Sequence, residues 1–187
     1  MGAKEIIGQI FGIFGLLMFV LSFQCKNSKK LVLVQGIGGL LFFVNFMLIG
    51  AYGGALFNLT ILIRGLLYMR KDKKLWKPVL VEVMLTVAYI YSLALVKGDM
   101  LQIVLTTLPY VSLLIMSVLM WKENGKLIRY FQVAMLSPSW LIHNIFNFTL
   151  GGILAEVFNI LSAIISLIRF KNNNKNEEKE IVSDTTV

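Results

Sequence analysis

Two short stretches, Gly50-Ala-Tyr-Gly-Gly54 and Phe148-Thr-Leu-Gly-Gly152, decide how this chain is read. Each is wedged between two long apolar runs and leaves room only for a tight turn. The runs therefore meet in pairs there, about 31–50 with 52–69 and about 127–147 with 150–169. Three further runs lie outward of these, at about 5–24, 79–96 and 101–120. Each is close to the ~20 residues that cross a hydrocarbon core of ~30 Å at 1.5 Å per residue. The sequence thus predicts an all-α integral membrane protein of seven transmembrane helices.

Composition supports this. Hydrophobic residues make up 57% of the 187 positions and charged residues 15%, against about 25% charged in soluble domains. A lipid bilayer is the expected partner. The formal charge of +8 does not point to nucleic acid, because the basic residues fall in short clusters between apolar runs and form no basic face. The single cysteine, Cys25, excludes a disulfide framework. No small-residue cleavage motif follows the first run, which is expected to remain as a helix. Asn58-Leu-Thr and Asn147-Phe-Thr match the glycosylation pattern but lie in or beside spans and are set aside.

Orientation follows from the basic clusters. With seven spans, one side collects those from Lys26 to Lys30, Arg64 to Lys77, Lys122 to Arg129 and Arg169 to Lys179. The other side has only Lys4 and Lys97. Short basic loops stay in the cytoplasm, so the N-terminus is expected outside and the C-terminus inside. Phe23, Tyr68, Trp76, Trp121 and Tyr130 fall at the expected cytoplasmic boundary, where amphipathic rings favour headgroups. The polar segment 171–187 reads as a disordered tail.

The two turns also suggest a repeat. A shift of 98 residues lays Gly53-Gly54 on Gly151-Gly152, Val20-Leu21 on Val118-Leu119, and helices 1–3 on helices 5–7 without a gap. Helix 4 restores the orientation of the second triplet. The expected plan is 3+1+3, with a first bundle at 1–70, a linker helix within 71–99 and a second bundle at 100–170, an arrangement that transporters use around a midmembrane site.

The same shift pairs Phe42 with Trp140, Asn45 with His143 and Asn58 with Glu156. The last two pairs lie roughly 6–9 Å inside the outer helix ends at 1.5 Å per residue. Trp140, His143, Asn144 and Asn147 share one helical face. Phe42, Asn45, Asn58, Trp140, His143, Asn144 and Glu156 are therefore the expected substrate-binding residues. A carboxylate at the bilayer centre costs about 2.5–3.5 kcal/mol. Glu156 thus needs a partner, water or a proton, which adds the proton to the expected partners. The blander reading makes each Asn interhelical glue, worth about 0.6–2 kcal/mol, and His143 a packing residue. Glu82 is expected to pair with Lys74 or Lys77, and Arg64 to snorkel to the cytoplasmic surface. Gly12, Gly39, Pro109 and Pro138 are the expected hinges, since helix breakers at corresponding places in two halves mark a transporter site. No cofactor or metal is expected, and no enzyme, because one His, one Cys and scattered serines supply neither a metal set nor a nucleophile–base pair.

Trp140-Leu-Ile-His-Asn144, Gly151-Gly152, Glu156 and Ile168-Arg169-Phe170, with Gly50-Ala-Tyr52 and Asn58 in the first half, resemble the bacterial YgjV family of inner membrane proteins. That resemblance implies the bacterial cytoplasmic membrane. The 3+1+3 plan is also similar to SWEET/PQ-loop sugar transporters and PnuC-type vitamin transporters. In SWEETs each triplet presents an aromatic on its second helix and an Asn on its third. Phe42 with Asn58, and Trp140 with Glu156, stand in similar places. The Pro-Gln pair is missing, the first half has no proline and Glu156 replaces an Asn, so neither sugar nor nicotinamide riboside is implied. The function expected is small-solute transport. The alternative is a membrane receptor or accessory subunit on the same scaffold. No oligomeric state follows from these residues.

Overall fold

The computed structural model describes residues 2–22, 28–69, 72, 74–96, 98–122 and 125–184. Phe23, Cys25, Lys26, Arg70, Lys71, Lys73 and Lys97 lie outside them. Every regular element among the described residues is helical: α1 (Ala3–Ser22), α2 (Ser28–Ile49), α3 (Tyr52–Tyr68), α4 (Trp76–Val96), α5 (Met100–Trp121), α6 (Gly125–Phe131), a π-helical turn (Gln132–Leu136), α7 (Ser137–Phe146) and α8 (Leu150–Asp184). α6, the π-turn and α7 run on without interruption, so the seven expected apolar runs become seven helices. Among the described residues, Ala3–Leu21, Trp76–Val96 and Met100–Trp121 are long and apolar enough to cross a membrane. Gly36–Ile49 and Leu150–Ile165 are shorter apolar stretches.

The distribution of polarity is inside-out. Val79, Val83, Val87 and Ile90 on α4 and Ile6, Ile10 and Phe14 on α1 are exposed, while Gln9, Asn45, Ser92, Ser112 and Ser117 are buried. Water would penalise both choices and a hydrocarbon solvent rewards both. Buried hydroxyls mostly bond the backbone one turn earlier: Thr60 to Leu56, Ser92 to Ala88 and Ser112 to Leu108.

Packing closes a ring. α1 lies on α2, α2 on α3, α3 on α5, α5 on α7, α7 on α8, and α8 returns to α1. α4 sits outside this ring, against α3 and α5. It is fastened there by Tyr89, whose ring stacks on Tyr110 at 4.1 Å and whose hydroxyl bonds Thr107 at 2.9 Å.

Three expectations are revised. Helix continues from α8 through 171–184 of the expected tail, where no Gly or Pro after Gly152 stops it, and 185–187 lie outside the described residues. Arg64 does not snorkel. It is 6% exposed, and its Nη1 donates to Ser117 on α5 at 3.0 Å. Lys77 and Lys74 pair with Asp72 instead of Glu82. Lys77 also donates to the Leu67 carbonyl at 2.9 Å, which satisfies the C-terminal end of α3. The hydrogen bond from Lys77 holds the Asp72 carboxyl below its usual range. That clamp is present above the ordinary carboxylate pKa and is lost as pH falls through the lowered one.

Of the four positions expected to be hinges, Pro138 adjoins a visible irregularity. Pro138 follows the π-turn, where the Ser137 N–H reaches back to the Gln132 carbonyl. Proline has no N–H to bond the carbonyl four residues earlier, which favours such a local adjustment. α5 continues through Pro109. Gly12 serves close packing, since a Cβ there would lie 3.1 Å from Asn45 Nδ2, whereas a Cβ on Gly39 would meet Leu62 Cβ at an ordinary contact distance of 4.0 Å.

Candidate functional site

Inside the ring lies a cavity of 320 Å³, within the ~300–1,000 Å³ usual for small-molecule sites. Five of the seven expected residues line it: Phe42, Asn58, Trp140, Asn144 and Glu156. Asn45 and His143 are not among its lining residues. The reason is helical rotation. Positions i and i+4 share a face, and i+3 and i+4 diverge by 100° at 3.6 residues per turn. On α2 the cavity takes Phe42 and Phe46; on α7 it takes Trp140 and Asn144. Asn45 and His143 are the i+3 residues and point elsewhere.

Asn45 is fully buried and donates to the Gly8 carbonyl of α1 at 2.6 Å, against the small surface made by Gly8 and Gly12. It ties two helices together. His143 packs its ring edge-on against Phe46 at 5.6 Å and Trp140 at 5.4 Å. It lines a second cavity of 340 Å³ with Gly53, Ser92, Gln102 and Thr106. Phe46 and Trp140 line the central cavity and stand 5.9 Å apart. The Phe46–Trp140–His143 layer thus separates the two spaces. On the opposite side, Ile128, Gln132 and Asn159 line both the central cavity and a third space of 330 Å³ that reaches Arg129.

Glu156 accepts hydrogen bonds from Ser137 and from Asn159, the latter at 3.4 Å. Ser137 in turn accepts from Gln132 at 2.7 Å. A chain of donors therefore runs from the π-turn to the carboxylate. Asn58 spends its amide N–H on the Gly54 carbonyl one turn back, at 2.9 Å.

The cavity residues that escaped the sequence reading include Arg64, Phe46, Gln132 and Asn159. Asn159 and Phe46 were detectable, each one turn from a residue already chosen, at Glu156 and Phe42. Gln132 was hidden by the π-turn, which shifts the register of the face. Arg64 was assigned to the surface because nothing local reveals Ser117 opposite it. Two buried atoms near the cavity have no hydrogen-bond partner, Arg64 Nε and, behind Arg64, Glu82 Oε1, while Asn144 Oδ1 faces the His143 ring. Glu82 lies close enough to Arg64 for the two charges to interact. Among the described residues, no group of three His, Cys, Asp or Glu side chains gathers to hold a metal.

A chain whose described residues are all helical, with an apolar exterior and an interior cavity that holds polar and charged side chains, belongs among membrane proteins. Residues 6–174 match the family described as Imp-YgjV, bacterial inner membrane protein, and the chain belongs to that family. No curated protein and no solved structure matches it.

Proposed function

We propose that this protein is a small-solute transporter of the bacterial inner membrane, built of two three-helix repeats around the central cavity with α4 as the linker. The carrying observation is that one cavity is lined from both halves by residues at shift-related positions: Phe42 with Trp140, Phe46 with Asn144, and Asn58 with Glu156. The neighbour pattern supports the repeat. α3 packs on α5, and α8 packs on α1, so each triplet's last helix touches the other's first. The likeness to SWEET transporters rests on this helix plan.

With the N-terminus outside, the Phe46–Trp140–His143 layer is the closed outer gate, and the space at Gln132, Asn159 and Arg129 is the cytoplasmic entrance. The Gln132–Leu136 π-turn, next to Pro138, is the part of the wall that moves. Purified protein in proteoliposomes tests this. Uptake of labelled small metabolites is expected, inhibited by Trp140→Ala. Protein-free background uptake of every amino acid, peptide, sugar and nucleoside tried, with the folded protein present, would sink the proposal.

A further inference from the structure

The cavity contains two ionisable groups of opposite sign, and they are not paired with each other. Arg64 and Glu156 both line it. Arg64 is held from behind by Ser117 at 3.0 Å, and its Nε donor has no acceptor. Glu156 is held by Ser137 and Asn159, and the nearby Asn144 Oδ1, which faces the His143 ring, is a second acceptor on the cavity wall. Buried polar atoms are rarely left unsatisfied, and those that are call for an explanation. One part of the cavity thus offers a cation with a spare donor, and another an anion with a second acceptor beside it.

The two parts are set apart along the helices. Arg64 lies six residues beyond Asn58 on α3, roughly 9 Å at 1.5 Å per residue. Asn58 and Glu156 each follow their Gly-Gly pair by four residues. Between the charged groups the wall is apolar, with Phe42, Leu113, Met116 and Trp140. At ~30 Å³ per water, the space equals about ten water molecules.

Resting on the transporter reading, we propose that the cavity binds a small elongated zwitterion, with a carboxylate at Arg64, an ammonium at Glu156 and Asn144, and an apolar stretch between them. ω-Amino acids and the shortest peptides have this chemistry. Such a solute gives Glu156 an ion-pair partner and gives the Arg64 guanidinium, which has Glu82 behind it, an acceptor on its cavity side. A simple anion would leave Glu156 unpaired, a simple cation would leave the Arg64 Nε donor without an acceptor, and a sugar would bring a counter-charge to neither.

The test uses wild-type protein in detergent and a series of ω-amino carboxylates of two to eight carbons. Matched alkyl carboxylates, matched alkylamines and a hexose are the controls, and binding is read by thermal stabilisation and calorimetry. Affinity should rise with chain length to an optimum beyond the two-carbon member. Loss of either charge from the solute should weaken binding about tenfold or more, the range for charge-assisted hydrogen bonds. Arg64→Gln should remove the preference for the carboxylate and Glu156→Gln the preference for the ammonium. If Arg64→Gln fails to fold, the solute series on wild type still decides. Equal binding of the carboxylate or amine alone, or preference for the two-carbon member, would overturn the zwitterion. Preference for the hexose would overturn it while leaving a solute site and the transporter reading in place. No binding by any solute would remove both.

Discussion

The α2–α3 and α7–α8 turns share one backbone design. Gly50 has φ +82° and Phe148 has φ +52°, the left-handed conformation in which helices commonly end. The next N–H, of Ala51 or Thr149, returns to the carbonyl of Phe46 or Asn144, at 2.9 Å in both. The second turn glycine then packs on the same residue. A Cβ on Gly54 would meet Phe46 at 2.8 Å, and one on Gly152 would meet Asn144 at 2.7 Å. What differs is what each turn carries. The first brings in Asn45 and Asn58, whose amides bond helix backbones. The second brings in His143 at the aromatic layer and Glu156 in the cavity. One backbone solution is thus used mainly for packing in one half and for charge in the other.

The largest expected contrast lies at the first glycine of each pair. A Cβ on Gly151 would stand 2.3 Å from the Gly12 backbone, which cannot rotate away. A Cβ on Gly53 would meet the Thr106 side chain at 3.0 Å and Ser92 Oγ at 3.2 Å. Gly151→Ala should cost about 3 kcal/mol or more, and Gly53→Ala about 1 kcal/mol. Thermal unfolding in detergent measures both. Equal losses would show that the α1–α8 contact is no tighter than the contact of α3 with α4 and α5.

Next comes the pair Glu156 and Asn58. Glu156→Gln keeps the shape and removes the charge, and should cut solute uptake by about tenfold or more. Asn58→Ala should cut it by a smaller factor, because its amide N–H serves Gly54. Proteoliposome uptake at matched protein density decides. A larger effect at Asn58 would reverse the assignment of chemistry to the second half.

How much of this was legible follows from which rules are local. Helix positions could be read because crossing a bilayer sets a length and a hydrophobicity for each run, and the Gly-Gly turns punctuate them. Glu156 stood out because a carboxylate in an apolar run demands an explanation. Asn45 did not sort itself from Phe46, since neighbouring residues face directions 100° apart and only α1, with its small Gly8–Gly12 surface, decides which faces inward. Arg64 reads as a surface residue until Ser117, more than fifty positions away, is placed opposite it. The π-turn depends on how α6 and α7 pack, and Pro138 alone hints at it.

A smaller contrast concerns what holds each turn. Gln9 on α1 accepts from Leu150 N–H at 3.0 Å and donates to the Phe148 carbonyl, bracing the second turn. Gln9→Ala should cost about 1–2 kcal/mol and Asn45→Ala a similar amount, each by stranding buried backbone groups. Urea or thermal unfolding should show the two losses adding in the double variant, as they do for sites without shared partners. A coupling of more than about 0.5 kcal/mol would show instead that α1 clamps both halves as one unit.

The smallest effect is the most direct comparison of the two turns. Phe148 occupies a left-handed conformation that costs a non-glycine residue roughly 1–2 kcal/mol, while Gly50 holds the equivalent place without that penalty. Phe148 is 78% exposed, so its ring contributes little packing within the protein. Phe148→Gly relieves the strain but adds freedom to the unfolded chain, an opposing effect of about 0.5–1 kcal/mol. The net should be a gain of about 0.5 kcal/mol, against a loss of about 1 kcal/mol for Gly50→Ala, where strain is introduced and a smaller entropic gain offsets it. The sign is what matters. A loss at Phe148→Gly would mean that the ring has a partner outside the chain, and the surface around that turn, where bilayer meets water, is where such a partner would sit.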